Sequence, residues 1–271
     1  MSNRTMMQSA TYLIAAIFML ILSFPLYALI MTSFKPLQEI FDFSLFPKSF
    51  TWENYKLVMQ RNFEKNIWNS IIVAGGVTIV SMLFHSMAGY ALARFSFPGK
   101  KFIFAAILCT LMIPFAVIMI PLFLVVKALH LTDTLWGVMI PSIPFAYGIF
   151  LLRQFYLGFP AELEEAARID GSSYFGTYWR LALPLSKSMI FTMAVAIFLH
   201  NWNMYLWPLI VITNQDLWVV QVAISSFVGE RSVEWNLILA ASCIATLPVV
   251  ALFIYFQKYL VEGIKMTGIK E

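Results

Sequence analysis

The chain has 271 residues, of which 61% are hydrophobic and 12% charged, and a formal net charge of +4. A water-soluble globule carries about 25% charged residues, so this composition excludes a soluble enzyme and describes an integral membrane protein. The two cysteines, Cys109 and Cys243, both lie in apolar tracts and exclude a disulfide scaffold, while the absence of a basic cluster interleaved with aromatics excludes a nucleic-acid surface.

A helix needs about 20 largely apolar residues to cross a bilayer. Six windows free of Lys, Arg, Asp and Glu reach roughly that length: Thr5–Phe34, Asn66–Ala93, Phe102–Val126, Thr134–Leu152, Ser188–Gln215 and Trp235–Gln257. No tract alternates as a barrel strand would, so the expected fold is an all-α membrane protein of six transmembrane helices, one domain over residues 1–271. The first apolar run is longer than a signal-peptide core and lacks a small-x-small cleavage site, and it reads as an uncleaved span. Six spans put both termini on one side. Counting Lys and Arg with cytoplasmic termini gives eleven inside and seven outside, an asymmetry that favours that orientation.

Residues 35–65 form an external segment in which Ser49–Tyr55 suggests a short interfacial helix with Trp52 and Tyr55 at headgroup level. Seven prolines (Pro25, Pro114, Pro121, Pro141, Pro144, Pro208, Pro248) fall inside windows, where each removes a backbone hydrogen bond and is expected to kink its helix. A second external loop, 216–234, carries Trp218, Phe227 and a Gly229-Glu230-Arg231 turn.

The cytoplasmic segment 155–187 parses as helix, turn, helix. Pro160 suits a first helical position, Glu162, Glu164 and Glu165 complement the helix dipole, Gly171 fits a left-handed C-cap, and Ser172 or Ser173 can cap the next helix. Leu163, Ala166 and Ala167 share a face whose small residues let another backbone approach closely. From these residues alone, that face could dock a partner or lie against the chain's own membrane domain.

Glu165-Ala166-Ala167, then three residues, Gly171, nine residues and Leu181-Ala182-Leu183-Pro184 resembles the EAA loop of ABC importer permeases, with Leu181 where the pattern has Ile. The resemblance extends from Asn69 to the C-terminus through Asn69-Ser70, Tyr90–Phe95 with Phe97-Pro98-Gly99, Phe150–Phe155, Trp202-Asn203 with Leu206–Leu209, and Phe256–Tyr259. It is strongest to the carbohydrate branch, of the maltose-transporter type. It implies a type I permease whose coupling helix docks on an ATPase subunit through Leu163, Glu165, Ala166, Ala167, Gly171 and Pro184. Implied partners are a homologous second permease in a heterodimer, a cytoplasmic ATPase dimer, an extracytoplasmic sugar-binding protein, a carbohydrate substrate and membrane lipid, with residence in a bacterial or archaeal inner membrane. Met204 and His200 depart from the family's pattern after and before Trp202-Asn203.

Polar residues at mid-depth usually face a bundle interior. On a continuous helix His200, Asn203 and Trp207 form one polar and aromatic stripe suited to a sugar, while Asn201 points away and is expected to make a helix contact. The alternative is that these groups only bond neighbouring helices, the reading also given to His85. No phosphate-binding Gly-x-x-x-x-Gly-Lys loop or zinc spacing is present, so the chain is expected to be no enzyme, without cofactor, and driven by ATP bound to a partner. The rival reading, a secondary transporter or channel working alone, would call for carboxylates in the spans, and the windows contain none.

Overall fold

A computed structural model describes residues 3–229 and 233–268, with Glu230 and Arg231 of the expected turn outside the described residues. The described residues form helices and no strand, the one β-type pairing being an isolated bridge between Val228 and Val233. In order, α1 is Asn3–Ser33, α2 Glu53–Gln60, α3 Phe63–Arg94, α4 Lys100–Thr110, α5 Phe115–Ala128, α6 Leu135–Ser142 and α7 Ala146–Leu157. They are followed by α8 Ala161–Ile169, α9 Tyr174–Thr177, a π-helical turn Tyr178–Ala182, α10 Leu183–Leu185, α11 Lys187–Trp202, α12 Leu206–Val211, α13 Val220–Ser225 and α14 Trp235–Gly268.

Three of the expected spans are continuous helices long and apolar enough to cross a membrane: Met7–Ser33, Phe63–Arg94 and Trp235–Tyr259. The other three windows are broken. Helices α4 and α5 meet at 101°, α6 and α7 at 41°, and the fifth window divides into α11 and α12 around Asn203–Tyr205. Proline sterics explain the positions. A proline ring clashes with the carbonyl four residues earlier, and for Pro114 that carbonyl belongs to Thr110, where α4 ends. Pro208 acts in the same way on Met204, inside the third break. Pro144 has no amide to continue the helical ladder, and the chain turns extended at Phe145 immediately after it. At Pro25 and Pro248 the helix is not interrupted, and α1 and α14 continue through them.

The chain divides into two compact units, Met1–Glu64 with Ala223–Leu247, and Lys65–Val222 with Pro248–Glu271. In the first, the loop after α1 folds back on itself: the fully buried Lys35 donates from Nζ to the carbonyls of Asp42 and Ser44 at 3.0 and 2.9 Å. Asn54 donates to the Ser33 and Lys35 carbonyls and accepts from Asn236, and Arg61 grips Glu234 through two contacts of 2.8 and 2.9 Å. The external helix occupies Glu53–Gln60 rather than Ser49–Tyr55. The Thr51 amide is drawn to the Phe34 carbonyl, which holds residues 49–52 out of helix and leaves Trp52 as the N-cap.

In the second unit the core runs from Val73 and Val77 of α3 through Val138, Leu152 and Tyr156 to Ile197, Trp207 and Val211. The connection between α5 and α6 is pinned by Asp133, whose carboxylate accepts from the amides of Thr213 and Asn214 and from the Thr213 hydroxyl. The Asn214 amide, then the amide and hydroxyl of Thr213, hold its carboxyl below the ordinary value of 3.8. A depressed folded-state pKa stabilises the fold above the ordinary value and loses that contribution as pH falls through the folded-state value. The thermal midpoint of Asp133→Ala should therefore lie below wild type by a gap that is constant near neutrality and closes in strong acid; a gap indifferent to pH would assign the effect to packing.

Candidate functional site

Two features converge on the residues singled out by sequence. The first is the 155–187 loop. Helix α8 starts after Pro160, which serves as N-cap rather than first helical residue, its extended ψ of 128° keeping it outside the helix. The helix closes in a Schellman turn. The Gly171 amide donates to the Arg168 carbonyl and the Ser172 amide to that of Ala167, both at 2.9 Å, with Gly171 at φ +82°. A Cβ on Gly171 would meet nothing within 4 Å, so the glycine is required by the left-handed backbone and not by crowding. Ser173 then caps α9, its Oγ accepting from the Gly176 amide.

Helix α8 has no buried residue: Leu163, Glu165 and Ala166 are exposed and Ala167 is half-buried. Pro184, exposed on α10, lies on a different element. Glu164 behaves differently from its neighbours. Its Oε1 is 2.9 Å from Arg94 Nε at the end of α3, with the two side chains only 15% and 14% exposed. Arg94 also donates to the Phe159 carbonyl just before α8. Behind the turn, Arg168 lies 4.0 Å over the Tyr174 ring, which packs edge-on against Phe95. The base of the loop is closed by Tyr90, Tyr156 and Tyr178, whose rings lie 5.4 and 5.3 Å from Tyr90. The Tyr178 hydroxyl is 2.6 Å from Ser86 Oγ and the Tyr156 hydroxyl 3.1 Å from Ser186 Oγ. Sequence reading missed Arg94, Glu164 and the tyrosines as a working group. The Tyr90–Phe95 motif that contains Arg94 was legible, but its pairing with a residue 70 positions later was not.

The second feature is a cleft of about 510 Å³ where the three breaks meet, lined among others by Phe115, Ser142, Phe145, His200, Tyr205 and Trp207. Breaking a helix inside a membrane frees backbone groups that hydrocarbon cannot satisfy. At the α6–α7 break α3 supplies the partners: Ser81 donates to the Ile143 carbonyl at 2.9 Å and the Phe145 amide donates to His85 Nε2 at 3.2 Å. Gly148 makes room for that imidazole, since a Cβ there would stand 2.9 Å from its Nδ1. His85 is thus an interhelical histidine.

The expected stripe assumed one helix through Trp207, but α11 ends at Trp202 and the chain restarts at Leu206. His200 and Trp207 line the cleft; Asn203 is not among its lining residues. Asn203 caps α11, with its amide donating to the Leu199 carbonyl and its Oδ1 accepting from Gln221. The exposed His200 ring sits 5.5 Å from that of Phe145. Trp207 is 2% exposed, and its Nε1 finds no hydrogen-bond partner. Asn201 is buried, donates to the Ile197 carbonyl one turn back, and leaves Oδ1 unpartnered. Among the described residues no group of His, Cys, Asp and Glu could hold a metal ion.

Bent membrane helices around a cleft, with an exposed helix-turn-helix at one end, define a multi-pass transport permease. The chain belongs to the family described as binding-protein-dependent transport system inner membrane component, which matches residues 85–266. It is 33% identical to the arabinooligosaccharides transport system permease protein AraQ of Bacillus subtilis, over 97% of this chain and 98% of that protein. It is 31% identical to the sn-glycerol-3-phosphate transport system permease protein UgpE of Brucella abortus, over 94% and 95%. Its fold matches a chain in the crystal structure of a bacterial ABC transporter involved in the import of the acidic polysaccharide alginate, with a TM-score of 0.81, 22% identity, and coverage of 96% and 98%. The chain is therefore a permease subunit of an ABC importer, a multi-pass inner-membrane component that works with an ATPase and a binding protein.

The Arg94–Glu164 pair generates a prediction about how α8 is held. Removing one partner of a buried ion pair strands the other, at a cost on the order of 3 kcal/mol. Glu164→Gln should accelerate amide hydrogen exchange across α8, and Arg94→Glu should do so more strongly. Combining Arg94→Glu with Glu164→Arg should recover part of the protection, and equal exchange in all three variants would show that the pair does not hold the helix.

Proposed function

We propose that this chain is one of two homologous permease subunits of a carbohydrate importer, with six spans, cytoplasmic termini, and α8 as the coupling helix seated on the ATPase. Each broken helix pair counts as one crossing in this reading, and the fifth crossing is α11 with α12. The observation that carries it is the division of labour on α8: Leu163, Glu165 and Ala166 are presented outward while Glu164 is tied inward to α3. A helix docked on its own membrane domain would bury the small face, and this one exposes most of it. The oligosaccharide permease among its relatives supports a carbohydrate as the transported solute.

The mechanism follows from the contacts. Closure of the ATPase dimer pushes on α8, and the Arg94–Glu164 pair carries the displacement into α3. From α3, Ser81 and His85 hold the α6–α7 break, so a shift of α3 moves Phe145 and the wall of the cleft. At 1.5 Å per residue, the 13 steps from Lys187 to His200 place the cleft roughly 20 Å from the loop end of the bundle. The proposed sugar-facing groups there are His200 and Trp207, the indole offering its face and a free N–H. Asn201 is read as a helix-contact residue and Asn203 as a helix-end residue.

Ala166→Trp adds bulk on the docking face and should cost the complex its ATPase subunit during mild-detergent purification. Gly171→Val forces a β-branched residue into φ +82° and should leave subunits present but abolish most of the substrate-stimulated ATP hydrolysis. Unchanged stoichiometry in the first and unchanged stimulation in the second would refute docking through α8. Single-cysteine labelling of intact cells tests orientation, with modification at position 173 from outside as the contrary result.

Trp207→Phe keeps an aromatic ring and removes the N–H. It should lower uptake about tenfold, the worth of roughly 1.4 kcal/mol for one hydrogen bond to substrate, with basal ATP hydrolysis unchanged. Uptake at the wild-type rate would remove this indole from the pathway.

A further inference from the structure

Three cations that the transport cycle leaves unused crowd a second cleft at the loop end of the bundle. Its volume is about 420 Å³, and it is lined by Lys100, Lys101, Phe104, Ala105, Leu108 and Arg153. No acidic residue lines it. Among the described residues, none of these three cations is paired with a carboxylate.

Their existing bonds explain their positions but not their charge. Lys100 donates to the carbonyls of Ala93 and Phe95, and Arg153 donates from Nε to the Leu92 carbonyl while its guanidinium lies 4.0 Å over the Phe104 ring. Nε is the one Arg153 nitrogen so used, which leaves both terminal guanidinium nitrogens as donors. Lys101 is exposed. Lys100 and Arg153 therefore face one another as like charges. Both lysines also begin α4, where a helix dipole disfavours positive charge and where no acidic residue compensates. An anion relieves all of these repulsions together.

The walls say which anion. Lys101, Phe104, Ala105 and Leu108 stand at i, i+3, i+4 and i+7, one face of α4, so an apolar stripe leads directly away from the cations along a helix of the membrane domain. A soluble phosphate has no use for that stripe, whereas a molecule with an anionic head and a hydrocarbon tail fits both parts. We propose that this cleft is a binding site for an anionic glycerophospholipid. The phosphate is held by Arg153 and Lys101 with Lys100 behind them, and an acyl chain lies along Phe104 and Leu108. Basic clefts between membrane helices at headgroup level suit such lipids, and each cation there contributes about fivefold in affinity. On the orientation proposed above, on which the leaflet alone rests, the site belongs to the inner leaflet.

The test uses the assembled importer in nanodiscs of phosphatidylcholine doped with phosphatidylglycerol, transferred to mild detergent and weighed by native mass spectrometry with extraction of the retained lipid. Wild type should retain phosphatidylglycerol in preference to phosphatidylcholine. Lys101→Gln, at an exposed position, should weaken that retention about fivefold, and Arg153→Lys, which keeps charge but loses the planar fork, should weaken it less. Lys56→Gln in the outer segment should leave it unchanged. Equal retention of the two lipids, or full retention in Lys101→Gln, would overturn the proposal. Displacement of the lipid by millimolar inorganic phosphate would reassign the cleft to a soluble anion, and cross-linking of position 101 to another subunit would reassign it to a protein contact. Because lipid retention is read without transport, loss of coupling in the α8 variants has no bearing on the result.

Discussion

Breaking a helix in hydrocarbon is tolerable only where something else satisfies the freed backbone groups, and at the α6–α7 break that something is the polar face of α3. Asn66 and Asn69 donate to carbonyls at residues 215–218, Ser70 accepts from the Val220 amide, Ser81 and His85 serve the α6–α7 break, and Ser86 meets Tyr178. Val73 and Val77 fill the same stripe between them as core residues. The 3.6-residue period brings Asn66, Asn69, Ser70, Ser81 and His85 to one side, with Ser86 on the other, so one continuous helix carries both sets of contacts. Without Ser81 and His85, the α6–α7 break would cost several kcal/mol for its orphaned groups.

The same helix contacts both α8 and the wall of the cleft. At its loop end Arg94 holds α8 by a nearly buried pair, and farther along His85 holds the wall of the cleft. Exposed ion pairs are worth little because water competes for both partners, and this pair differs in being 14% and 15% exposed. The π-helical turn at Tyr178–Ala182 fits the same picture, since such turns carry a helix with one hydrogen bond displaced and so mark places where helix register is adjustable. It lies within the 155–187 segment, between α9 and α10, ahead of α11, whose far end opens onto the cleft.

Much apolar surface remains uncovered. The most apolar stretch of α1 buries none of its residues within the chain, and Phe102, Met112, Val117 and Ile120 on α4, the break and α5 stand largely exposed. For a soluble protein such patches would predict aggregation. In an inner-membrane component of an importer they are the surface that lipid and neighbouring subunits cover.

What the sequence determined by itself is local. Apolar windows between charges mark the membrane helices because hydrocarbon tolerates little else. Gly171 marks the Schellman turn because the left-handed backbone excludes most side chains, and Ser173 marks a helix start because its hydroxyl reaches the third amide onward. The spacing of Glu165-Ala166-Ala167, Gly171 and Pro184 carried the resemblance to the family to which the chain belongs. Only the tertiary structure decided the rest. A helical wheel placed Asn203 beside Trp207, but the helix stops at Trp202 and restarts at Leu206, putting His200 and Trp207 on the cleft and Asn203 at a helix end. The pairings of Arg94 with Glu164, His85 with the Phe145 amide, and Arg153 with Phe104 join residues 49 to 70 positions apart. Periodicity says which face a side chain takes on its own helix, but which helix stands opposite is decided by where the broken helices turn and which polar groups they must satisfy.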